Sequence, residues 1–199
     1  MKNIPFALII SRLIIGLICI GLVFTPYEHT NVIIVILLVI GLLTDIFDGI
    51  IARRLNIATE KLRIWDSNVD VIFWLCVIFS LFYLNFDFIE HNYLFILIIL
   101  GLEVLAYIIS FFKFKKTIAT HSLLAKLWTL TLLAFLIDLG LTSHSHFWFY
   151  LCVAVGIISR LEIIAIILKL KNWTTDVPSI FSVSNLNKGL PIKKIKLFN

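Results

Sequence analysis

Four aspartates carry the chemistry that is legible in this chain, spaced as Asp45-x2-Asp48-Gly49-x2-Ala52-Arg53-x12-Asp66-x3-Asp70. They lie at the ends of two strongly apolar stretches, in a sequence of which only 15% is charged. A carboxylate near hydrocarbon is costly, so ionisable residues in such places are functional by default. Oxygen donors without His or Cys suit Mg²⁺, Mn²⁺ or Ca²⁺ rather than zinc. Several carboxylates held together repel strongly at low dielectric. Divalent cations relieve that repulsion and can bridge phosphate oxygens, which makes a diphosphate a better leaving group. A carboxylate not fully engaged by metal can take a proton from an attacking alcohol. Pairing with loop arginines at the membrane edge would account for one such aspartate, but poorly for four with Gly49 and Ala52 among them.

Helices are needed to bring these groups together. At about 100° per residue, Asp45 and Asp48 lie about 60° apart, Gly49 about 40° from Asp45, and Ala52 about 20° from it. One helix face thus combines two carboxylates with two of the smallest side chains, which let a ligand or a neighbouring helix approach the backbone. Asn56 or Thr59, in the basic loop Arg53–Trp65, is a suitable N-cap for the next helix. On that helix Asp66 and Asp70 share a face, preceded by Leu62 in the same stripe. Short connections make the two helices antiparallel neighbours, so both pairs can meet at one end.

The rest of the chain says what solvent surrounds them. Hydrophobic residues make up 61%, Phe alone numbers 17, and the mean hydropathy is +1.06. A soluble domain of this length could not bury so much apolar surface, so the fold class is an all-α integral membrane protein. Six transmembrane helices are expected, over about 6–25, 32–51, 66–84, 93–112, 122–141 and 146–168, each near the ~20 residues a span requires. They form one domain, 1–168, followed by a polar, basic tail, 169–199. The first segment carries Arg12 and is not clearly followed by a small-residue cleavage site, so it reads as a retained helix and not a signal peptide.

All 17 Lys and Arg fall on one side of this topology or within a helix near it. The opposite loops carry none; they hold Glu28, Asp87, Glu90 and several His. By the positive-inside rule the basic side is cytoplasmic, with both termini and the carboxylate cavity. The net charge of +5 suits anionic headgroups better than nucleic acid. Cys19, Cys76 and Cys152 sit singly in apolar runs and read as small buried or lipid-facing residues.

The aspartate pattern resembles the signature of the CDP-alcohol phosphotransferases, D-x2-D-G-x2-A-R-x8-G-x3-D-x3-D. Asp45, Asp48, Gly49, Ala52, Arg53, Asp66 and Asp70 match it at the correct intervals. Asn3-Ile4-Pro5 with Arg12 resembles the family's amino-terminal NIP…R segment. Ser122-x2-Ala125-Lys126-x2-Thr129 resembles its later S-x2-G-K-x2-T segment. Two positions depart: Leu62 replaces the second Gly of the signature, and Ala125 replaces a Gly.

The resemblance implies that Asp45, Asp48 and Asp66 are metal ligands and that Asp70 contacts metal and acts as general base. It places Gly49 and Ala52 beside the CDP moiety, Arg53 in support, and Arg12 and Lys126 toward substrate phosphates. The cofactor it implies is Mg²⁺ or Mn²⁺, as two ions. The implied reaction moves a phosphatidyl group from CDP-diacylglycerol to an alcohol with release of CMP, in phospholipid biosynthesis. The NIP…R segment, similar to that of phosphatidylglycerophosphate synthases, points to glycerol 3-phosphate as acceptor. A homodimer in a bacterial inner (plasma) membrane is the implied setting.

Two other classes remain in view. A cation-coupled transporter would also place carboxylates in the membrane, but no relay of acids or broken helices continues to the other face. A catalytically inactive relative is the reading Leu62 would favour. Glu103, midway along the fourth span, needs a partner or protonation, with a role between helices or at a dimer contact. Arg160 and Glu162 read either as cavity residues or as membrane-edge charges.

Overall fold

In hydrocarbon every backbone N–H and C=O must be satisfied within its own segment, so apolar runs of this length fold as helices. The computed structural model describes residues 4–25, 27–55, 60–116, 122–174 and 177–187. Its helices are α1 (Ile4–Phe24), α2 (Thr30–Arg54), α3 (Glu60–Leu84), α4 (Phe86–Phe114), α5 (Leu123–Thr142), α6 (Phe147–Lys169) and the short α7 (Val183–Asn187), which follows a 3₁₀ turn at Ile180–Ser182. There is no strand among the described residues. Six of the helices are long and apolar enough to cross a bilayer. The protein is an all-α, six-span membrane protein, as its hydropathy predicts.

Three helices, α2, α3 and α4, run longer than the sequence reading. The segment 85–92, expected as a loop, is almost wholly helical. Asn85 alone separates α3 from α4; its amide N–H donates to Leu81 O at 3.1 Å, and it accepts from Ile89 N–H at 3.3 Å. Asp87 falls in the first turn of α4, where a negative charge complements the helix dipole. Likewise α2 runs on to Arg54 and α3 begins at Glu60, which shortens the expected Arg53–Trp65 loop. The suggested caps Asn56 and Thr59 lie outside the described residues.

The chain divides into two compact units whose limits fall within α4 and α5: residues 1–91 with 136–144, and residues 92–135 with 145–199. In the first unit α1 packs against both α2 and α3. Its buried stripe, Pro5, Ile9, Arg12, Gly16, Cys19 and Val23, repeats every three or four residues as one helical face must. From α3 come Val69, Phe73, Val77 and Leu81, four residues apart and all buried. Gly16 lets the two backbones approach; a Cβ there would lie 3.5 Å from Phe73 Cα. Gly41 on α2 receives the ring of Phe73, and any Cβ at that position would collide with it. At the start of α2, Asn31 and Asn85 exchange reciprocal amide hydrogen bonds of 3.3 and 3.2 Å. Outward lie Ile14, Leu17, Leu43, Phe47, Leu75 and Phe79, all exposed. In water such a surface would aggregate; in a bilayer it meets lipid.

In the second unit Ala106, Ile163 and Ile167 form one buried cluster, with Ile109, Phe114 and Ala125 against it. The region expected as a polar tail is partly folded onto α6. Leu170, Val177 and Val183 bury themselves with Ile166, and Ile180 and Leu186 pack around them. Polar groups close the end of α6. Lys113 Nζ donates to Ile167 O and Leu168 O at 3.0 and 2.6 Å, and Asn187 Nδ2 donates to Lys169 O at 2.9 Å. These partners satisfy carbonyls that a helix C-terminus leaves orphaned. From residue 188 onward the tail lies outside the described residues.

Candidate metal centre

Asp45 and Asp48 occupy the later turns of α2, and Asp66 and Asp70 the early turns of α3. The antiparallel packing of the first unit brings these stretches side by side. One carboxylate oxygen from each of Asp45, Asp48 and Asp66 lies within 4.8 Å of the others. Asp48 is nearly closed off from solvent, its side chain 4% exposed, whereas Asp45, Asp66 and Asp70 remain about one-third open. The cluster is therefore a recess with a buried floor and an accessible side.

Among the described residues one cation, Arg12, joins the four acids. Arg12 rises from the middle of the buried α1 stripe and is 0% exposed. Its Nη1 lies 2.8 Å from Asp45 Oδ1 and 3.2 Å from Asp66 Oδ1, and also pairs with Asp70 Oδ1. Its Nη2 pairs with Asp48 Oδ2. One guanidinium nitrogen thus faces three carboxylates with only two hydrogens to donate. Among the described residues, that one positive charge leaves four carboxylates far from neutralised. The Phe6 and Trp65 rings meet edge to face at 6.2 Å between α1 and α3, near the same end.

The surroundings match the spacing argument. On α2, Ala52 is buried and Gly49 half-buried, so that face presents almost no side-chain bulk beside the acids. Leu62 is half-buried on α3, one turn before Asp66. Arg53 belongs to α2, but its side chain lies outside the described residues. The structure therefore joins Asp45, Asp48, Asp66, Asp70 and Arg12, flanked by Gly49 and Ala52.

Lys126 belongs to the second unit, where its side chain is exposed on α5. What that segment does locally is clear: Ser122 caps α5, its Oγ accepting the Ala125 N–H at 3.1 Å. Sequence reasoning left Arg160 and Glu103 without assigned partners. They pair with each other, and the Arg160 guanidinium stacks 4.1 Å from the Trp128 ring. Glu162 accepts the Ile180 N–H at 3.3 Å and so fastens the turn before α7.

A recess of hard oxygen donors at one end of apolar helices could hold a multivalent cation beside lipid. The CDP-alcohol phosphatidyltransferase family model matches residues 2–168, all six spans included. The chain belongs to that family, whose members are phosphotransferases of phospholipid synthesis using a CDP-alcohol donor. No curated protein and no solved structure matches it.

Proposed function

We propose that the protein transfers a phosphatidyl group from CDP-diacylglycerol to an alcohol, releasing CMP, with glycerol 3-phosphate as the acceptor. The observation that carries this reading is the convergence of Asp45, Asp48 and Asp66 within 4.8 Å at the positions of the family motif. Three carboxylates without nitrogen or sulfur donors fit a hard divalent ion, Mg²⁺ or Mn²⁺. Asp45, Asp48 and Asp66 would hold it, with Asp70 completing a site for two ions. Bound there, such ions would stabilise the negative charge that develops on the leaving phosphate.

The chain's own residues then divide the work. Gly49 and Ala52 leave room on α2 for the CDP moiety, with Arg53 in support. Arg12 meets a substrate phosphate, and the resemblance of the Ser122–Thr129 segment to the family gives Lys126 a phosphate-binding role as well. Asp70 takes the proton of the acceptor hydroxyl as its oxygen attacks the phosphorus bonded to the diacylglycerol. The P–O bond to CMP breaks, and CMP leaves as the anion. The basic side of the chain faces the cytoplasm of a bacterial cell, and the enzyme works as a homodimer. Family membership favours phosphotransfer over cation transport.

Purified protein in nanodiscs, given CDP-diacylglycerol, Mn²⁺ and a panel of alcohols, tests the reading. Alcohol-dependent CMP release that stops on chelation is expected, fastest with glycerol 3-phosphate. Absence of release with every acceptor, from folded protein, contradicts it.

A further inference from the structure

We propose that Arg12 is the resident counter-cation of the aspartate cluster and competes with the divalent ion for it. The idea rests on the metal-dependent reading above and adds a role for this residue that the motif does not state. Asp45, Asp48 and Asp66, the three acids whose oxygens converge within 4.8 Å, are all engaged by Arg12. Asp70 is the fourth. A guanidinium only donates hydrogen bonds, so it draws on the lone pairs of the same three carboxylates that an ion would need. Two cations sharing one low-dielectric recess also repel.

Charge balance gives the direction of the exchange. Among the described residues, four carboxylates against one guanidinium leave the recess net negative, which draws in further cations. Two divalent ions alone would balance four carboxylates, leaving the buried Arg12 charge in surplus. A surplus buried cation needs an anionic partner, and a phosphate of the donor is the anion at hand. Arg12 is held only by its two terminal nitrogens: Nε has no hydrogen-bond partner among the described residues. Turning from carboxylate to phosphate therefore exchanges only the carboxylate pairs and breaks no bond at Nε.

Full-length wild type, Arg12→Gln and Arg12→Lys in nanodiscs would be titrated with Mn²⁺, reading free Mn²⁺ by electron paramagnetic resonance. Thermal unfolding would be followed in chelator and in saturating Mn²⁺. The expected result is Mn²⁺ affinity raised by on the order of tenfold in Arg12→Gln. The same variant melts well below wild type in chelator, and Mn²⁺ restores most of the difference. Should Arg12→Gln fail to fold, Arg12→Lys carries the test, because its ammonium cannot fork across four carboxylates and should also bind Mn²⁺ more tightly. Equal or weaker Mn²⁺ affinity in the folded variants, or a melting loss that Mn²⁺ does not recover, overturns the proposal alone. Absence of Mn²⁺ binding by wild type overturns the metal reading and this proposal with it.

Discussion

Arg12 Nη1 lies 2.8 Å from Asp45 Oδ1, tying the middle of the buried α1 stripe to the later turns of α2. Through the same guanidinium Asp66 and Asp70 of α3 join the cluster, so one side chain unites three helices at the acidic recess. Truncating one partner of a buried ion pair leaves the other uncompensated, at about 3–5 kcal/mol in soluble proteins. Function and stability therefore meet at this point of the fold.

Asp48 and Asp70 should separate into different kinetic classes. Asp48 is the floor of the recess, and Asp48→Asn is expected to weaken Mn²⁺ binding most, as read by titration. Asp70→Asn, in the role of general base, should lower kcat by about 10²–10⁴-fold. Its Mn²⁺ affinity should fall less than that of Asp48→Asn. Equal losses of metal binding would remove the division of roles.

Gly41 should tolerate no side chain while Phe73 keeps its ring. Gly41→Ala places a Cβ against that ring, and overpacking of this kind costs about 1–3 kcal/mol. A lowered melting temperature is expected, with recovery in the double variant Gly41→Ala, Phe73→Leu. A single variant as stable as wild type would show that the ring moves freely.

The amide pair Asn31–Asn85 fastens α2 to the α3–α4 junction at the end remote from the carboxylates. A double-mutant cycle with alanine, read by unfolding in detergent, should give a coupling of about 0.6 kcal/mol, the average for polar contacts between membrane helices. A coupling indistinguishable from zero would make the pair incidental.

Hydropathy located all six spans but placed several helix ends short, and the reason is physical. It detects the stretch that crosses hydrocarbon, whereas a helix continues into the interface, where polar residues are tolerated. Asp87, Glu90 and His91 thus looked like a loop although they continue α4 upward from its first turn. The aspartate recess was legible because its spacing is helical within each pair and the intervening loop is short. The depth of Arg12 was less so, yet its place in the stripe Pro5, Ile9, Arg12, Gly16, Cys19, Val23 was a usable signal. The Glu103–Arg160 pair joins residues far apart in sequence, and nothing local to either names the other. Val177, Ile180, Val183 and Leu186, which anchor the tail, recur every three residues, a short signal overshadowed by the polar and basic residues around them.

Leu62 stands where the family motif carries glycine, one turn before Asp66. Leu62→Gly should raise affinity for CDP, measured by calorimetry with Mn²⁺ present. The same change should cost about 1 kcal/mol of helix stability, because glycine is a poor helix former. Unchanged nucleotide affinity would show that leucine at this position does not crowd the site.

The central claim is group transfer, and the most direct measurement identifies both products. Wild-type protein would be given CDP-diacylglycerol, Mn²⁺ and glycerol 3-phosphate, and the lipids and nucleotides resolved by mass spectrometry. The account predicts CMP and a phospholipid carrying both the diacylglycerol and the acceptor, formed in equal amounts and absent with Asp70→Asn. Phosphatidic acid as the sole lipid product, or no CMP from folded wild-type protein with any alcohol, would contradict it.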